Sequence, residues 1–437
     1  MGDRHTKSPL TSPRTWIKDS LAPLKEQAFR LLWIGRSVSS AGDAVVEIAL
    51  VFGILHIGGN AADIGFVIAI QLTARLVFTL AGGVWADRMR RQYVTVASDL
   101  VRGTVDSVLA VLFFTGRAQV WQIAIGAGIM GAGGAFFGPA FTGLLPETVP
   151  PEKLQVSNAL ISFSDSFFNV VGPAVAGVII AVFGPALLFA ADALSYLVSA
   201  ISLGRLRLAS RNIPERTSFR AELTVGWREI TARSWYWINL IAHSLWNFAF
   251  PAYFVLGPVI AAQMLGGPKA WGVIAAAWAA GAVVGSIIAM HAKPSRPLVA
   301  ANLALMLTAL PVLALAVPLA TWVIAAAAVL AGIGLSILMT MWAAAMQQLI
   351  PDEVRSRVDS YDWLLSLSAR PVGYAIIGVV AAEVGNRATM IGAAFLLAVP
   401  CTLVVFVPAI RAVRRTPQGA IVGPPPRTPG RASLDHA

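Results

Sequence analysis

The sequence predicts an all-α integral membrane protein with twelve transmembrane helices in two six-helix halves. Three observations lead there. Of 437 residues, 57% are hydrophobic and 13% charged, against about 25% charged in an ordinary soluble chain, and mean hydropathy is +0.71. The apolar residues gather in runs of about 20, the length at which a helix crosses a hydrocarbon core roughly 30 Å thick. The net charge of +11 lies in the connections between those runs. Two or three soluble domains would need a polar surface that so few charges cannot cover. The single cysteine, Cys401, excludes an internal disulfide.

In chain order, residues 1–27 form an N-terminal segment and 28–204 the first half. Its spans centre on Leu31–Ile57, Ile64–Gly83, Val94–Thr115, Trp121–Leu145, Ala159–Val182 and Ala186–Leu203. Residues 205–234 are a polar linker ending in a short amphipathic helix. The second half, 235–411, has spans centred on Trp237–Leu265, Trp271–His291, Leu298–Val317, Ala320–Leu349, Leu364–Val384 and Ala388–Ile410. The tail 412–437, with Pro424-Pro425-Pro426, is expected to be disordered. The first apolar run is full length, so no cleavable signal is expected. Trp121, Trp235, Trp271, Trp322 and Trp363 fall near span ends, where amphipathic rings are favoured.

Basic residues set the direction. The connections after spans 1, 3, 5, 7, 9 and 11 hold only Arg117, Lys269 and Arg387. The opposite face carries Arg88, Arg90, Arg91, the arginine-rich linker and both tails, which places the termini and linker in the cytoplasm. This pattern accounts for the basic surface without nucleic acid as a partner.

Two stretches punctuate the halves alike. Pro146-Glu147-Thr148-Val149-Pro150-Pro151-Glu152-Lys153 precedes a span with Gly172-Pro173, and Ile350-Pro351-Asp352-Glu353-Val354-Arg355-Ser356-Arg357 precedes one with Arg370-Pro371. Such duplication is how many secondary transporters are built.

Charges at membrane depth are costly and therefore functional candidates. Asp43, Arg75 and Arg370 fall near midplanes; Asp99, Arg102 and Asp106 share one face of span 3 at i, i+3 and i+7. Glu47 follows Asp43 by one turn, and Asp165 and Asp192 lie about a third of the way into spans 5 and 6. Six acids stand against three bases, Arg75, Arg102 and Arg370, so some carboxyls lack an arginine and can bind a proton reversibly. Asp43 is the expected partner of Arg75, which leaves Glu47 as the exchangeable site.

The loop Gly83-Val84-Trp85-Ala86-Asp87-Arg88-Met89-Arg90-Arg91 resembles the signature of the major facilitator superfamily, Gly-x-x-x-Asp-Arg-x-Gly-Arg-Arg, at Gly83, Asp87, Arg88 and Arg91. Arg90 replaces the usual glycine and Gln92 the last basic residue. The corresponding loop His291-Ala292-Lys293-Pro294-Ser295-Arg296 lacks the Asp-Arg pair. Gly42-Asp43, Asp99-Leu100-Val101-Arg102, Asn158-Ala159-Leu160, Asp192-Ala193-Leu194-Ser195 and the segment Pro351 to Val358 resemble the branch of macrolide and enterobactin exporters. Gly172-Pro173-Ala174-Val175-Ala176-Gly177 resembles the glycine-proline motif of drug antiporters.

The resemblance implies the major facilitator fold and a bacterial plasma-membrane transporter, not an enzyme. It further implies proton-coupled export of an amphipathic small molecule (a drug, a macrolide-like compound or a siderophore) by alternating access. The alternatives are import of a polar solute, or a non-transporting membrane enzyme or scaffold. A monomer is expected to suffice, in contact with substrate, protons and lipid. Gly83, Asp87, Arg88 and Arg91 are implied to gate the cytoplasmic side, with Arg88 and Arg91 able to reach acids such as Glu147. Trp246 and Phe250 are candidates to stack on a substrate.

No cofactor or metal is expected. Gly126-Ala127-Gly128-Ile129-Met130-Gly131 fits a dinucleotide fingerprint but lies inside a span with no preceding strand. The five histidines have no metal-ligand spacing. Ser162, Ser164 and Ser166 have no histidine–acid pattern around them.

Overall fold

The computed structural model describes residues 21–207, 229–317, 319–351, 354, 358 and 365–425, with the backbone alone for 80–88. Outside the described residues lie 1–20, the linker 208–228 with its expected amphipathic helix, 352–357 apart from 354, Trp363 and 426–437; the side chains of Asp87 and Arg88 do as well. The first half consists of α1 (Gln27–His56), α2 (Ala61–Arg88), α3 (Arg91–Phe114), α4 (Val120–Leu144), α5 (Leu154–Phe183) and α6 (Ala186–Gly204). The second consists of α7 (Ser234–Ala249), α8 (Pro251–Ile260), α9 (Pro268–His291), α10 (Pro297–Leu305), α11 (Ala309–Ala316), α12 (Thr321–Leu349), α13 (Ala369–Val384) and α14 (Asn386–Val405). The short α15 (Pro408–Arg411) follows.

Among the described residues, eleven helical segments are long and apolar enough to span a membrane. The twelfth span is α3, which falls short because Asp99, Arg102 and Asp106 occupy its middle.

Two spans of the second half are broken for a covalent reason. Proline has no N–H to give the carbonyl four residues back, and its ring crowds that carbonyl. Span 7 therefore divides at Pro251 into α7 and α8, and ends in a π turn at Ala261–Leu265 just after Pro258. Span 9 passes through a 3₁₀ turn at Met306–Thr308, one turn before Pro311, and so becomes α10 and α11. The duplication shows at span ends: α5 stops at Gly184 and α13 at Gly385, with φ of 76° and 85°. Only glycine takes that conformation without strain.

Within the first half, α1 packs on α5 and α6, α2 on α4, and α3 on α4 and α6. The second half repeats this with α9 on α12 and with α14 against α7 and α11. Two seams join the halves, α2 with α13 and α5 with α9. Both depend on glycine. A Cβ on Gly65 would strike the Tyr374 carbonyl, and one on Gly378 the backbone of Ala61 and Ala62. Across the other seam, Gly177 meets the Pro268 carbonyl and Gly272 the Pro173 carbonyl. Small residues let helices approach closely where no hydrophobic force favours contact over lipid. Each of these contacts lies near the end of the bundle opposite the termini.

The tail departs from the sequence expectation. Residues 412–425 are ordered: β1 (Arg414–Arg415) pairs antiparallel with β2 (Ile421–Val422). The Arg415 N–H donates to the Ser295 carbonyl (2.8 Å) and the Ile421 N–H to Gln348 Oε1 (2.7 Å). Val413 and Ile421 are buried with Leu298, Met346 and Ile350. Disorder was expected from the prolines and charges around these residues, which conceal two apolar side chains spaced to bury together.

Candidate functional site

Helix α1 brings Arg36, Ser40, Asp43 and Glu47 along one face, at i, i+4, i+7 and i+11. That face meets α5 and α6. Arg36 Nη2 donates to Asp165 Oδ2 (3.1 Å), and the Ser40 hydroxyl donates to the other oxygen of the same carboxylate. Asp165 is thus paired. The sequence reading missed Arg36, although its spacing from Asp43 and Glu47 places all three on one helical face.

A deeper network joins α1, α3 and α6. Arg102 Nη2 donates to Asp99 Oδ1 (2.5 Å), and Ser199 Oγ donates to Asp99 Oδ2 (2.6 Å). Arg102 Nη1 donates to the Tyr196 hydroxyl (3.3 Å), which itself donates to Asp43 Oδ1 (2.5 Å). The Arg102 guanidinium also lies over the rings of Phe137 and Tyr196, 4.5 and 4.3 Å from their centroids. Asp99 and Asp192 are fully buried and Asp106 nearly so. A close packing contact holds the helices in this register: a Cβ on Gly42 would strike the Asp192 carboxylate and Ser195.

Asp106, on the same face of α3, lies near Asp192 of α6, whose Oδ1 accepts from Ser195 Oγ (2.9 Å). Each carboxyl keeps one buried oxygen without another partner.

Arg75 does not pair with Asp43, contrary to the sequence expectation. Asp43 takes its proton donor from Tyr196 and lies 4.0 Å from Arg36, while Arg75 is exposed on α2. Glu47 is also exposed, within Coulombic reach of Asp43 and Arg75. Arg370 has no carboxylate partner among the described residues; its Nε donates to Asn247 Oδ1 (2.6 Å). Trp246 and Phe250 are buried, with their rings stacked 4.2 Å apart and the Arg370 guanidinium over both. Their faces are therefore occupied by each other and by Arg370.

At the signature loop, Arg91 Nη1 donates to the Gly143 carbonyl (2.5 Å) and reaches Glu147 Oε1 (3.4 Å), tying α3 to the end of α4. Gln92 donates to the carbonyls of Leu203 and Leu206 (2.9 and 2.8 Å), closing the end of α6. Of the glycine-proline motif, Gly172 packs on Ala44 of α1, whereas the Pro173 carbonyl and Gly177 form the α5–α9 seam.

Arg36 takes Asp165 and Arg102 takes Asp99, which leaves Asp43, Glu47, Asp106 and Asp192 with no guanidinium closer than 4.0 Å among the described residues.

A family model described as transmembrane secretion effector matches residues 18–425. Macrolide efflux protein A of Streptococcus pyogenes is 23% identical over 364 residues, covering 82% of this chain and 90% of the relative. Multidrug efflux pump Tap of Mycolicibacterium fortuitum is 25% identical over 411 residues, covering 87% and 96%. Among solved structures, a bacterial homologue of the iron transporter ferroportin in an inward-facing state superposes with a TM-score of 0.68 at 17% identity, covering 87% of this chain and 99% of that one. An inward-facing, unoccupied bacterial homologue of the lysosomal transporter Spinster gives 0.65 at 13% identity, covering 86% and 96%.

Proposed function

Because the chain belongs to the transmembrane secretion effector family of major facilitator transporters, we propose that it exports an amphipathic small molecule from bacteria in exchange for protons. The observation that carries the reading is the imbalance in the α1–α3–α6 network, where four carboxyls have no close guanidinium. Acidic side chains without a fixed cation partner are the groups from which proton relays in transporters are built. The relatives' names, a macrolide efflux protein and a multidrug efflux pump, support an apolar or amphipathic cargo.

Basic residues favour the cytoplasm for the termini. The seams at the opposite end would then close the outer side, and the chain would be open inward. Glu47, exposed and one turn beyond Asp43, is the exchangeable site. A proton from outside neutralises it as cargo leaves, and loss of that proton to the cytoplasm readies the site for the next molecule. The Gly83-to-Arg91 segment, from the end of α2 to the start of α3, gates the cytoplasmic end, a role consistent with the Arg91 tie to Glu147. One chain holds both halves and both seams between them, which supports a monomer as the working unit.

The test is flux of a fluorescent amphiphile in proteoliposomes with an imposed pH gradient. Wild type is expected to move it against its concentration difference. Glu47→Gln should bind it with less pH dependence and lose gradient-driven export. Full gradient-driven export by Glu47→Gln would move the coupling to the Asp106–Asp192 pair, and export indifferent to the gradient would overturn proton coupling.

A further inference from the structure

Two arginines at membrane depth take no part in the acid network. An arginine does not deprotonate in proteins, and a cation there is costly unless something answers its charge. Arg102 follows that rule by pairing with Asp99. Arg75 and Arg370 do not, for neither has a carboxylate within salt-bridge distance among the described residues.

Arg370 is nonetheless held firmly. Its Nε donates to Asn247 Oδ1, and the Asn247 amide is oriented by its own bond to the His243 carbonyl (2.9 Å). The guanidinium lies 5.8 Å from the Trp246 centroid and 5.3 Å from that of Phe250. Trp246 is fixed in turn, its Nε1 donating to Thr308 Oγ1 (2.9 Å). Every one of these partners is neutral. They fix the direction of the guanidinium and leave its charge in place, with its Nη groups free of any acceptor among the described residues.

The position is equally specific. Tyr374 and Gly378, one and two turns further along α13, form the seam with α2. Arg370 shares that face, and helical side chains lean toward the N-terminus, so its half-buried side chain lies on the side of the closed seam nearer the start of α13. Arg75 projects from the other half. It is ten residues along α2 from Gly65, about 15 Å, whereas Arg370 is about 6 Å from Tyr374. Two cations from opposite halves thus stand at successive depths on the same side of the seam, with Glu47 within reach of Arg75.

We propose that Arg370 recognises an anionic group on the transported molecule, and that this molecule is an amphiphile bearing a carboxylate, sulfonate or phosphate beside an aromatic or apolar body. A guanidinium braced by neutral groups offers two parallel N–H donors with little reorganisation on binding. Arg75 adds attraction from the facing half. The proposal rests on the transporter reading, but binding alone tests it, so its failure is separate from failure of export or proton coupling.

The probes are anilinonaphthalene sulfonate and phenylnaphthylamine, two dyes with the same aromatic body that differ by one sulfonate. Each is titrated by fluorescence against the full-length protein in phosphatidylcholine nanodiscs, with empty nanodiscs subtracted. Arg370→Gln is expected to weaken binding of the sulfonate about tenfold or more, the loss of one charge-assisted contact, and to leave phenylnaphthylamine unchanged. Arg370→Lys, which keeps the charge without the paired donors, should give an intermediate loss and keeps the test open if the glutamine variant does not fold. Equal weakening of both dyes, or no change in the sulfonate, would overturn the proposal. So would loss of sulfonate binding when phosphatidylglycerol replaces phosphatidylcholine, which would assign the arginine to a lipid headgroup.

Discussion

Asp99 and Asp165 each hold one arginine, but in surroundings that differ sharply in access to water. The Asp99 side chain is 0% exposed and its Arg102 partner 7%, whereas Asp165 and Arg36 are 28% and 24% exposed. Removing one member of a buried pair strands an uncompensated charge and costs about 3–5 kcal/mol; a solvated pair contributes about 1 kcal/mol or less. Asp99→Asn should therefore lower the melting temperature of the purified protein far more than Asp165→Asn does. Equal losses would mean that both pairs are equally screened. Arg36 also marks a limit of reading charges one span at a time. The three-residue pattern of Asp99, Arg102 and Asp106 is visible within one helix. Which carboxylate each arginine takes depends on how α1, α5 and α6 are rotated against one another, and apolar composition on every face leaves that rotation unmarked.

The same glycine chemistry serves two purposes at the level of elements. Gly378 closes the seam between halves, whereas Gly281 packs α9 on Val329 of α12 within one half. Overpacking costs typically about 1–3 kcal/mol wherever it occurs, but only the first site bears on which end of the bundle is open. Gly378→Val should leave the protein monodisperse and shift thiol labelling of cysteines placed in the cleft; Gly281→Val should lower the melting temperature without that shift. Identical labelling in both variants would remove the seam from the conformational change. The C-terminal hairpin is a second element with its own test. Full burial of Val413 and Ile421 is worth up to about 1.5–3 kcal/mol each, so deletion of residues 412–437 should destabilise the protein measurably. An unchanged melting curve would show that the hairpin adds nothing to the second half.

At the scale of the whole molecule, the fold was legible because span length and hydropathy are properties of single segments, and Pro251, Pro258 and Pro311 interrupt spans 7 and 9 without ending them. The seams were partly legible: Pro173 and Gly177 stood out, but Gly65, Gly272 and Gly378 did not, because a small residue carries no sign of which helix it faces. The proposed orientation rests on the Lys and Arg asymmetry. Green fluorescent protein fused after Ala437 should fluoresce, whereas alkaline phosphatase at the same place should be inactive. The reverse pattern would invert the topology and turn the cleft toward the outside.

The placement of the seams also sets how far the halves can travel. Both lie near one end of helices as long as the 30-residue α1 and α5, about 45 Å at 1.5 Å per residue. A pair of rods touching near one end acts as a lever with a long arm. Tilting one half by roughly 20° about that contact would carry its far end through about 15 Å, enough to admit or expel a molecule of several rings, while the glycine backbones at the fulcrum move by only a fraction of that distance.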